Sequence, residues 1–211
     1  AGSGGQAVIT IVDYGLGNVQ AIANIYKRLE IPVTLARSAA ELAGATHVIL
    51  PGVGAFDWAM SRLDASGMRA TLDELVLQQQ RPVLGICVGM QMMARSSDEG
   101  HAAGLGWLDA GVKVFDDARF TGRTHLPHMG WNDIEPVRTD GLLRELGERP
   151  RFYFLHSYYF APNDPADVLA SADYGGRFAC AVQRGNIHGV QFHPEKSHAW
   201  GIQLLKNFAS L

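Results

Sequence analysis

The chain has 211 residues, of which 47% are hydrophobic and 18% charged, and its formal net charge is −3. This length and composition are typical of a globular domain with a sizeable core and exclude a disordered or fibrous chain. The small net charge, without a long basic run, argues against nucleic acid or a membrane surface as a partner. No apolar run reaches the roughly 18 residues that a transmembrane helix needs, so a membrane protein is not expected either.

The N-terminus and the cysteines bear on cellular location. Residues 1–6 read AGSGGQ, without methionine, and are interpreted as a cloning remnant ahead of a native start near Ala7. They lack the basic and apolar regions of a secretory signal. Cys87 and Cys180 are the only cysteines, and in a reducing cytosol both are expected to be free thiols. We therefore predict a cytoplasmic protein with a single domain over residues 7–211.

The first half of the chain alternates short β-branched runs with helical patterns, which predicts a parallel sheet with crossover helices. The predicted strands are AVITIVDYG, ending at Asp13, then VTLA, HVILPGVG and PVLGI. The third is expected to break at Pro51, and the apolar fourth suits a central position covered on both faces. The predicted helices are NVQAIANIYKRLE, DWAMSRLDASG and MRATLDELVLQQQ, the last two divided near Gly67.

The second half is richer in strands joined by tight turns. The predicted strands lie in GWLDAGVKVFD, RFYFLHSYYFA, DVLASADYG and FACAVQRGNIHGVQFHPE. Within the last of these, QRGNI predicts a hairpin, and AWGIQLLKNFASL predicts an amphipathic helix at the end of the chain. Together these patterns predict an α/β fold, a three-layer sandwich with a central mixed, mostly parallel sheet flanked by helices.

One cysteine stands in an unusual setting. Gly85-Ile86-Cys87-Val88-Gly89 lies where the fourth strand ends and a helix, VGMQMMARS, is predicted to begin. The same spacing around serine forms the nucleophile elbow of hydrolases, whose sharp turn needs small residues two before and two after the nucleophile. An elbow would set the Cys87 thiol beside a helix N-terminus, which favours the thiolate, and would aim the Val88 N–H at a developing oxyanion. The alternative is a buried core cysteine, which is the interpretation favoured for Cys180.

A base for this cysteine is predicted in HGVQFHPEKS. Strand alternation puts Gln191 and His193 on one face, and Pro194 holds His193 extended. Glu195 then lies on the same side, where its carboxylate accepts from one imidazole nitrogen and leaves the other for Cys87. The sequence therefore predicts a Cys-His-Glu triad.

Three further motifs carry weaker signals. His125 and His128 in HLPH have a spacing that metal sites use, but no cysteine or acidic cluster accompanies them, so a loop is favoured and no metal is predicted. DYGLGN lacks the third glycine of a dinucleotide fingerprint. PGVG, residues 51–54, is not a phosphate loop because no Lys-Ser/Thr follows. Its glycines end the strand expected beside that of Cys87, where they can offer a second oxyanion donor.

These motifs together resemble those of the class I (triad) glutamine amidotransferases. The shared pattern is G-x-C-x-G followed by Gln91, a PGxG strand end upstream and a late His-Pro-Glu. Within that family the chain closely resembles the glutaminase subunits of imidazole glycerol phosphate synthases, through DYGLGN, LPGVGAF, GICVGMQ, LPHMGWN, FYFLHSYY and GVQFHPEKS. LPHMGWN and HPEKS are the more particular motifs, since a generic glutaminase needs neither. The resemblance implies that the sandwich is flavodoxin-like.

The resemblance also implies a role for each matching residue. Cys87 attacks the side-chain amide of glutamine, His193 acts as base and then acid, and Glu195 orients His193. The implied oxyanion donors come from Val88, Val53 and Gly54. The implied glutamine-binding residues are Gly52, Gln91, Ser157 and Tyr158. The implied residues of a docking face are Asn18, Trp131, Tyr153 and Lys196.

No cofactor is implied. The ammonia is expected to pass to a separate (β/α)8-barrel cyclase subunit, the expected heterodimer partner in histidine biosynthesis. Three alternatives remain open: the glutaminase of another synthase, such as those of pyridoxal phosphate, anthranilate or GMP synthesis; a flavodoxin-like redox or binding module whose cysteine is oxidised instead of acylated; and a structural partner with an inactive triad. LPHMGWN argues against the first, and His193, Glu195 and Gln91 argue against the others.

Overall fold

An eight-stranded sheet forms the centre of the structure, a computed structural model that describes residues 7–116, 118, 120 and 124–211. In sheet order the strands are β2 (Val33–Ala36), β1 (Ile9–Val12), β3 (His47–Gly52), β4 (Val83–Cys87), β13 (Ile187–Val190), β12 (Arg177–Arg184), β11 (Val168–Asp173) and β8 (Glu135–Pro136). Neighbours among the first five are parallel, and neighbours from β13 onward are antiparallel. The predicted mixed, mostly parallel sheet is confirmed.

Helices cover this sheet on both sides. They are α1 (Val19–Arg28), α2 (Ala39–Leu42), α3 (Phe56–Ala65), α4 (Arg69–Asp73, continued by a π turn over Glu74–Gln78), α5 (Val88–Gln91) and α6 (His198–Ala209). Right-handed crossovers put α1 on one face and α2 to α4 on the other. Helix α1 packs against α6, where the buried Tyr26 hydroxyl donates to the Leu205 carbonyl at 2.8 Å, and α2 packs against α4. The predicted three-layer sandwich is confirmed.

Two smaller sheets lie outside the central one. One joins β10 (Tyr158–Pro162), β6 (Ala110–Val114) and β5 (Ser96–Ser97), and the other is an antiparallel ribbon of β7 (His128–Asp133) and β9 (Arg151–His156). Short 3-10 turns cover Gly141–Leu143, Pro165–Asp167 and Pro194–Lys196. The sequence pattern predicts strands in these regions but not their separation into small sheets.

The structure corrects three expectations and confirms one turn. Strand β3 does not break at Pro51 but runs on to Gly52; β1 pairs with β3 only up to Ile49, so the missing N–H of Pro51 costs no hydrogen bond on that side. Helix α5 stops at Gln91 instead of continuing through MMARS, and the buried His128 begins a strand, not a loop. The predicted hairpin turn lies at residues 185–186, between β12 and β13.

Candidate active site

Cys87 sits at a strained turn at the carboxyl end of β4. Its φ of 56° and ψ of −114° lie in a region that non-glycine residues seldom adopt, as a nucleophile elbow requires. Gly89 makes the turn possible, because a Cβ there would lie 1.9 Å from the Leu50 carbonyl oxygen. A Cβ on Gly85 would lie 2.8 Å from the Met90 nitrogen. Both glycines are therefore required by the backbone, as the elbow prediction states. Since α5 has only four residues, its dipole adds less than predicted.

His193 and Glu195 form a buried pair. His193 follows β13 and begins the 3-10 turn at Pro194, so that its Nδ1 donates to Glu195 Oε1 at 2.6 Å. Their side chains are 3% and 2% exposed. With Nδ1 committed to the carboxylate, Nε2 is the ring nitrogen left for a reacting group. Asn18 Nδ2 donates to the same carboxylate oxygen at 3.2 Å, which fixes the carboxylate from the other side.

The environment of His193 favours proton uptake. Burial lowers the pKa of His193, but its hydrogen bonds to Cys87 and Glu195 and the charges of both outweigh burial and raise the pKa to about 10. A histidine so placed readily takes a proton from a thiol. The predicted grouping of Cys87, His193 and Glu195 is present in the geometry, with Cys87 and His193 lining one cavity.

Backbone carbonyls of strand β9 contact both His193 and Cys87. The Tyr153 carbonyl accepts from the backbone N–H of His193 at 2.9 Å, and the Leu155 carbonyl lies 3.8 Å from Cys87 Sγ. The Ser197 hydroxyl donates to the His193 carbonyl at 2.6 Å. Sequence reasoning missed Leu155 and Ser197, because both contacts involve backbone carbonyls, whose positions depend on the folded chain and not on residue type.

A cavity of about 330 Å³ opens in front of Cys87. Most of the predicted site residues line it: Asn18, Val53, Gly54, Cys87, Val88, Gln91, Ser157, Tyr158, His193 and Lys196. Gly52 differs, because it is buried behind the wall, where a Cβ would lie 2.8 Å from the Gly89 nitrogen and 2.9 Å from the Tyr14 hydroxyl. Its position allows close packing of β3 on the elbow and does not put it in contact with a ligand in the cavity.

Two glutamine side chains, Gln91 and Gln191, are hydrogen-bonded to each other beside the Cys87 thiol. Gln91 Nε2 donates to the Tyr158 carbonyl at 3.2 Å and to Gln191 Oε1 at 3.0 Å. Gln191 Nε2 in turn lies 3.8 Å from Cys87 Sγ. Both hydrogens of the Gln91 amide are thus used within the protein, and its Oε1 remains as the acceptor for a ligand. Strand alternation places Gln191 on the face of His193, a signal that could have identified it.

Several further residues beside the cavity were not predicted, among them Glu99 and Tyr14. Glu99 lines the cavity, and burial raises the pKa of its carboxyl above the usual value. The buried Tyr14 hydroxyl donates to the Pro51 carbonyl at 2.7 Å, behind the Val53–Gly54 wall, and burial raises its pKa well above the ordinary range. Only the fold brings these two residues to the site.

The predicted docking residues divide into two groups. Asn18 and Lys196 lie at the cavity, while Trp131 and Tyr153 face each other across the β7–β9 ribbon, their rings 6.4 Å apart. Lys196 Nζ lies 5.7 Å from the Tyr153 ring and connects the groups. Exposed Met129 and Leu155 extend the same face of the ribbon.

The part of the chain that the structure describes contains neither the pattern of a metal cluster nor that of a membrane-spanning helix. Within residues 7–116, 118, 120 and 124–211, no group of three or more His, Cys, Asp or Glu side chains is arranged to hold a metal ion. In the same ranges, no helix is long and apolar enough to cross a membrane.

Comparison with known proteins agrees with this geometry. Residues 10–210 match the family model "Glutamine amidotransferase class-I". The chain is 59% identical over 204 residues to an imidazole glycerol phosphate synthase subunit HisH of Bdellovibrio bacteriovorus, covering 97% of this chain and 100% of that protein. The corresponding protein of Leptospira interrogans is 50% identical over the same shares.

Solved structures share the fold at low sequence identity. A glutamine amidotransferase structure superposes with a TM-score of 0.74 at 21% identity, covering 97% of this chain and 100% of that one. The PurLQS structure from Thermotoga maritima gives a TM-score of 0.69 at 18% identity, covering 98% of each chain. The chain belongs to the class I glutamine amidotransferase family.

Proposed function

We propose that this protein is the glutaminase subunit of imidazole glycerol phosphate synthase. It hydrolyses glutamine to glutamate and ammonia and passes the ammonia to a separate cyclase subunit in histidine biosynthesis. The observation that carries the proposal is the strained Cys87 elbow, which shares a cavity with the buried His193–Glu195 pair. Relatives that carry the HisH name and match 97% of the chain support the choice of synthase.

The chemistry follows from the triad geometry. Cys87 Sγ attacks the side-chain amide carbon of glutamine while His193 Nε2 takes the thiol proton. The oxyanion accepts from the Val88 N–H and from the Val53–Gly54 backbone. When the intermediate collapses, the C–N bond breaks and His193 returns the proton to the nitrogen, which leaves as ammonia. Water, deprotonated by His193, then cleaves the thioester to release glutamate and restore the Cys87 thiol.

The cavity offers complementary groups for glutamine. Gln91 Oε1 is the free acceptor described above, and the half-buried Glu99 carboxylate is the anionic group among the cavity-lining residues that suits the substrate's α-ammonium. Ser157 and Tyr158 line the same wall. We assign these four residues to substrate binding, and we place Gly52 behind the oxyanion donors.

The β7–β9 ribbon is the proposed docking surface for the (β/α)8-barrel cyclase. Met129 is 64% exposed and Trp131 38%, and they lie beside Tyr153 and Leu155 on one face. Large apolar side chains grouped at a surface are typical of interfaces. Because the ribbon borders the cavity at Leu155, a partner seated there would meet the site where ammonia is formed.

Two broader assignments accompany this proposal. The family match over residues 10–210 supports a single amidotransferase domain over residues 7–211. Cys87 and Cys180 are both free thiols, which supports a cytoplasmic location.

Co-expression with candidate cyclase subunits tests the proposal. We expect the chain to co-purify with the imidazole glycerol phosphate synthase cyclase and to make its product depend on glutamine. Cys87→Ala should still co-purify and should abolish glutamine-dependent synthesis, while synthesis from added ammonia continues. Activation of a different acceptor synthase, or glutamine-dependent synthesis by the Cys87→Ala complex, would contradict the proposal.

A further inference from the structure

Two buried histidines outside the triad form a directed hydrogen-bond chain towards the glutamine cavity. His128 and His156 face each other across the β7–β9 ribbon, on the side opposite Met129 and Trp131. They are 3% and 7% exposed, and His128 Nδ1 lies 2.9 Å from His156 Nε2. A buried polar pair of this kind needs a defined proton arrangement.

The neighbouring groups fix that arrangement. His156 Nδ1 lies 2.8 Å from the Tyr158 carbonyl, which can only accept, so Nδ1 carries the hydrogen and Nε2 is an acceptor. His128 Nδ1 must therefore donate to His156 Nε2. The remaining His128 nitrogen, Nε2, then accepts from Asn132 Nδ2 at 3.3 Å. Both rings are neutral with the hydrogen on Nδ1.

The surroundings hold both rings in this state. Tyr174 and Phe154 stack on His128 with centroid separations of 4.0 and 4.6 Å. Burial lowers the pKa of His128 to about 4 and that of His156 to about 3. At neutral pH the chain therefore has a single direction, from Asn132 to the Tyr158 carbonyl.

His156 itself lines the cavity, and the Tyr158 carbonyl is where the hydrogen-bond chain reaches Gln91. It accepts from His156 Nδ1 on one side and from Gln91 Nε2 on the other. The carbonyl thereby sets the orientation of the Gln91 amide, whose second hydrogen goes to Gln191 and whose Oε1 is left for the substrate. Without the bond from His156, the carbonyl would be held only by its place at the start of β10, and Gln91 would be loosened without moving Cys87 or His193.

We propose that His128 and His156 are positioning residues, which fix the Tyr158 carbonyl and through it the Gln91 acceptor for glutamine. This inference rests on the proposed function, since it assigns Gln91 to glutamine binding. It predicts an effect on substrate affinity and little effect on the chemical step, because neither histidine belongs to the triad.

Variants at position 156 separate this role from a packing role. In His156→Asn, the side-chain Nδ2 takes the place of the histidine Nδ1 and can still donate to Tyr158. In His156→Gln, the longer side chain puts its amide where Nε2 lies. It can still accept from His128 but no longer donates to the Tyr158 carbonyl. His156→Leu removes both bonds. His188→Leu is the matched control, because His188 is also buried, at 3% exposed, but bonds only to the Val83 and Asn186 carbonyls among the described residues.

The experiment measures labelling of Cys87 in the full chain by a glutamine analogue with an electrophilic diazoketone in place of the side-chain amide. The rate against concentration gives an apparent dissociation constant and a maximal rate for each folded variant. Losing the hydrogen bond to the Tyr158 carbonyl should raise the apparent dissociation constant about 3- to 10-fold in both His156→Leu and His156→Gln. His156→Asn and His188→Leu should stay near wild type, and the maximal rate should change little in all four.

Each contrary result has a distinct meaning. An unchanged dissociation constant in His156→Leu would overturn the positioning role. A wild-type constant in His156→Gln together with a raised constant in His156→Asn would overturn it as well. Equal impairment of His188→Leu would also overturn it, since general loosening of the core would then explain the effect. A wild-type chain that the analogue does not label at Cys87 would overturn the proposed function and this inference with it.

Discussion

Replacing Glu195 with glutamine removes one charge from the triad and keeps its shape. The Glu195 side chain is 2% exposed, and its Oε1 accepts from His193 Nδ1 at 2.6 Å and from Asn18 Nδ2 at 3.2 Å. A glutamine oxygen can accept the same two hydrogen bonds. The variant therefore tests how much the carboxylate charge stabilises the imidazolium that forms when His193 takes the thiol proton.

The size of the effect follows from the geometry. Two unit charges with centres about 4 Å apart interact by about 4 kcal/mol at an effective dielectric constant of about 20. Exchanging a charge-assisted for a neutral hydrogen bond sets a lower limit of about 1 kcal/mol. These limits correspond to a fall in kcat of about 5- to 1000-fold. The pKa of His193 should also fall, since hydrogen bonding and charge from Glu195 both raise it, and the corresponding limb of the pH–rate profile should move to lower pH.

The assay is steady-state glutamate release by the Glu195→Gln complex with the cyclase, across the pH range, beside a thermal unfolding curve. Glu135→Gln is the control, because Glu135 also pairs with a cation, Arg177 at 2.8 Å, but is 67% exposed. It should keep wild-type kcat. A folded Glu195→Gln enzyme with wild-type kcat and an unmoved pH profile would refute the role given to the carboxylate.

Three further outcomes follow from the structure. Gly89→Ala should lose at least about 3 kcal/mol of unfolding free energy in urea or fail to fold, since its Cβ would lie 1.9 Å from a backbone oxygen. Gly44→Ala, whose Cβ would enter open space, should unfold as wild type does. Acid should weaken the fold: burial lowers the pKa of His188 from 6.5 to about 4, so its stabilisation is complete above pH 6.5 and is lost as the pH falls towards 4. Between about pH 7 and pH 5 the unfolding free energy should fall by about 2 kcal/mol more in wild type than in His188→Leu, because the lowered pKa values of His128 and His156 act in both chains. Trp131→Glu should weaken cyclase binding at least tenfold by titration calorimetry with Cys87 labelling unchanged, and Val137→Glu, at an exposed apolar residue outside the ribbon, should not.

Local spacing was enough to predict the elbow and the His193–Glu195 pair. Gly85 and Gly89 flank Cys87 within five residues, and the backbone there needs both, so the pattern and the turn have the same cause. Likewise Pro194 sets the spacing that brings the imidazole to its carboxylate.

Contacts between distant elements were not predictable in this way. Gln191 meets Gln91 across 100 residues of chain, and the His128–His156 pair depends on the register of the β7–β9 ribbon. HLPH is typical of a loop, yet His128 begins a strand because it pairs with a partner 28 residues away and not with a neighbouring hairpin arm. These contacts, and the strand that begins at His128, depend on pairing between distant parts of the chain and not on local propensity.

The two cysteines allow the most direct test of the proposed chemistry. Cys180 is fully buried and burial raises its pKa, whereas Cys87 lines the cavity beside His193. Treating the full chain with the diazoketone analogue and mapping the adduct by mass spectrometry compares them in one sample. We predict one adduct per chain, on Cys87, prevented by excess glutamine and lost in His193→Ala. Labelling of Cys180 to the same extent, or Cys87 labelling that glutamine does not prevent, would contradict the assignment of Cys87 as the glutaminase nucleophile.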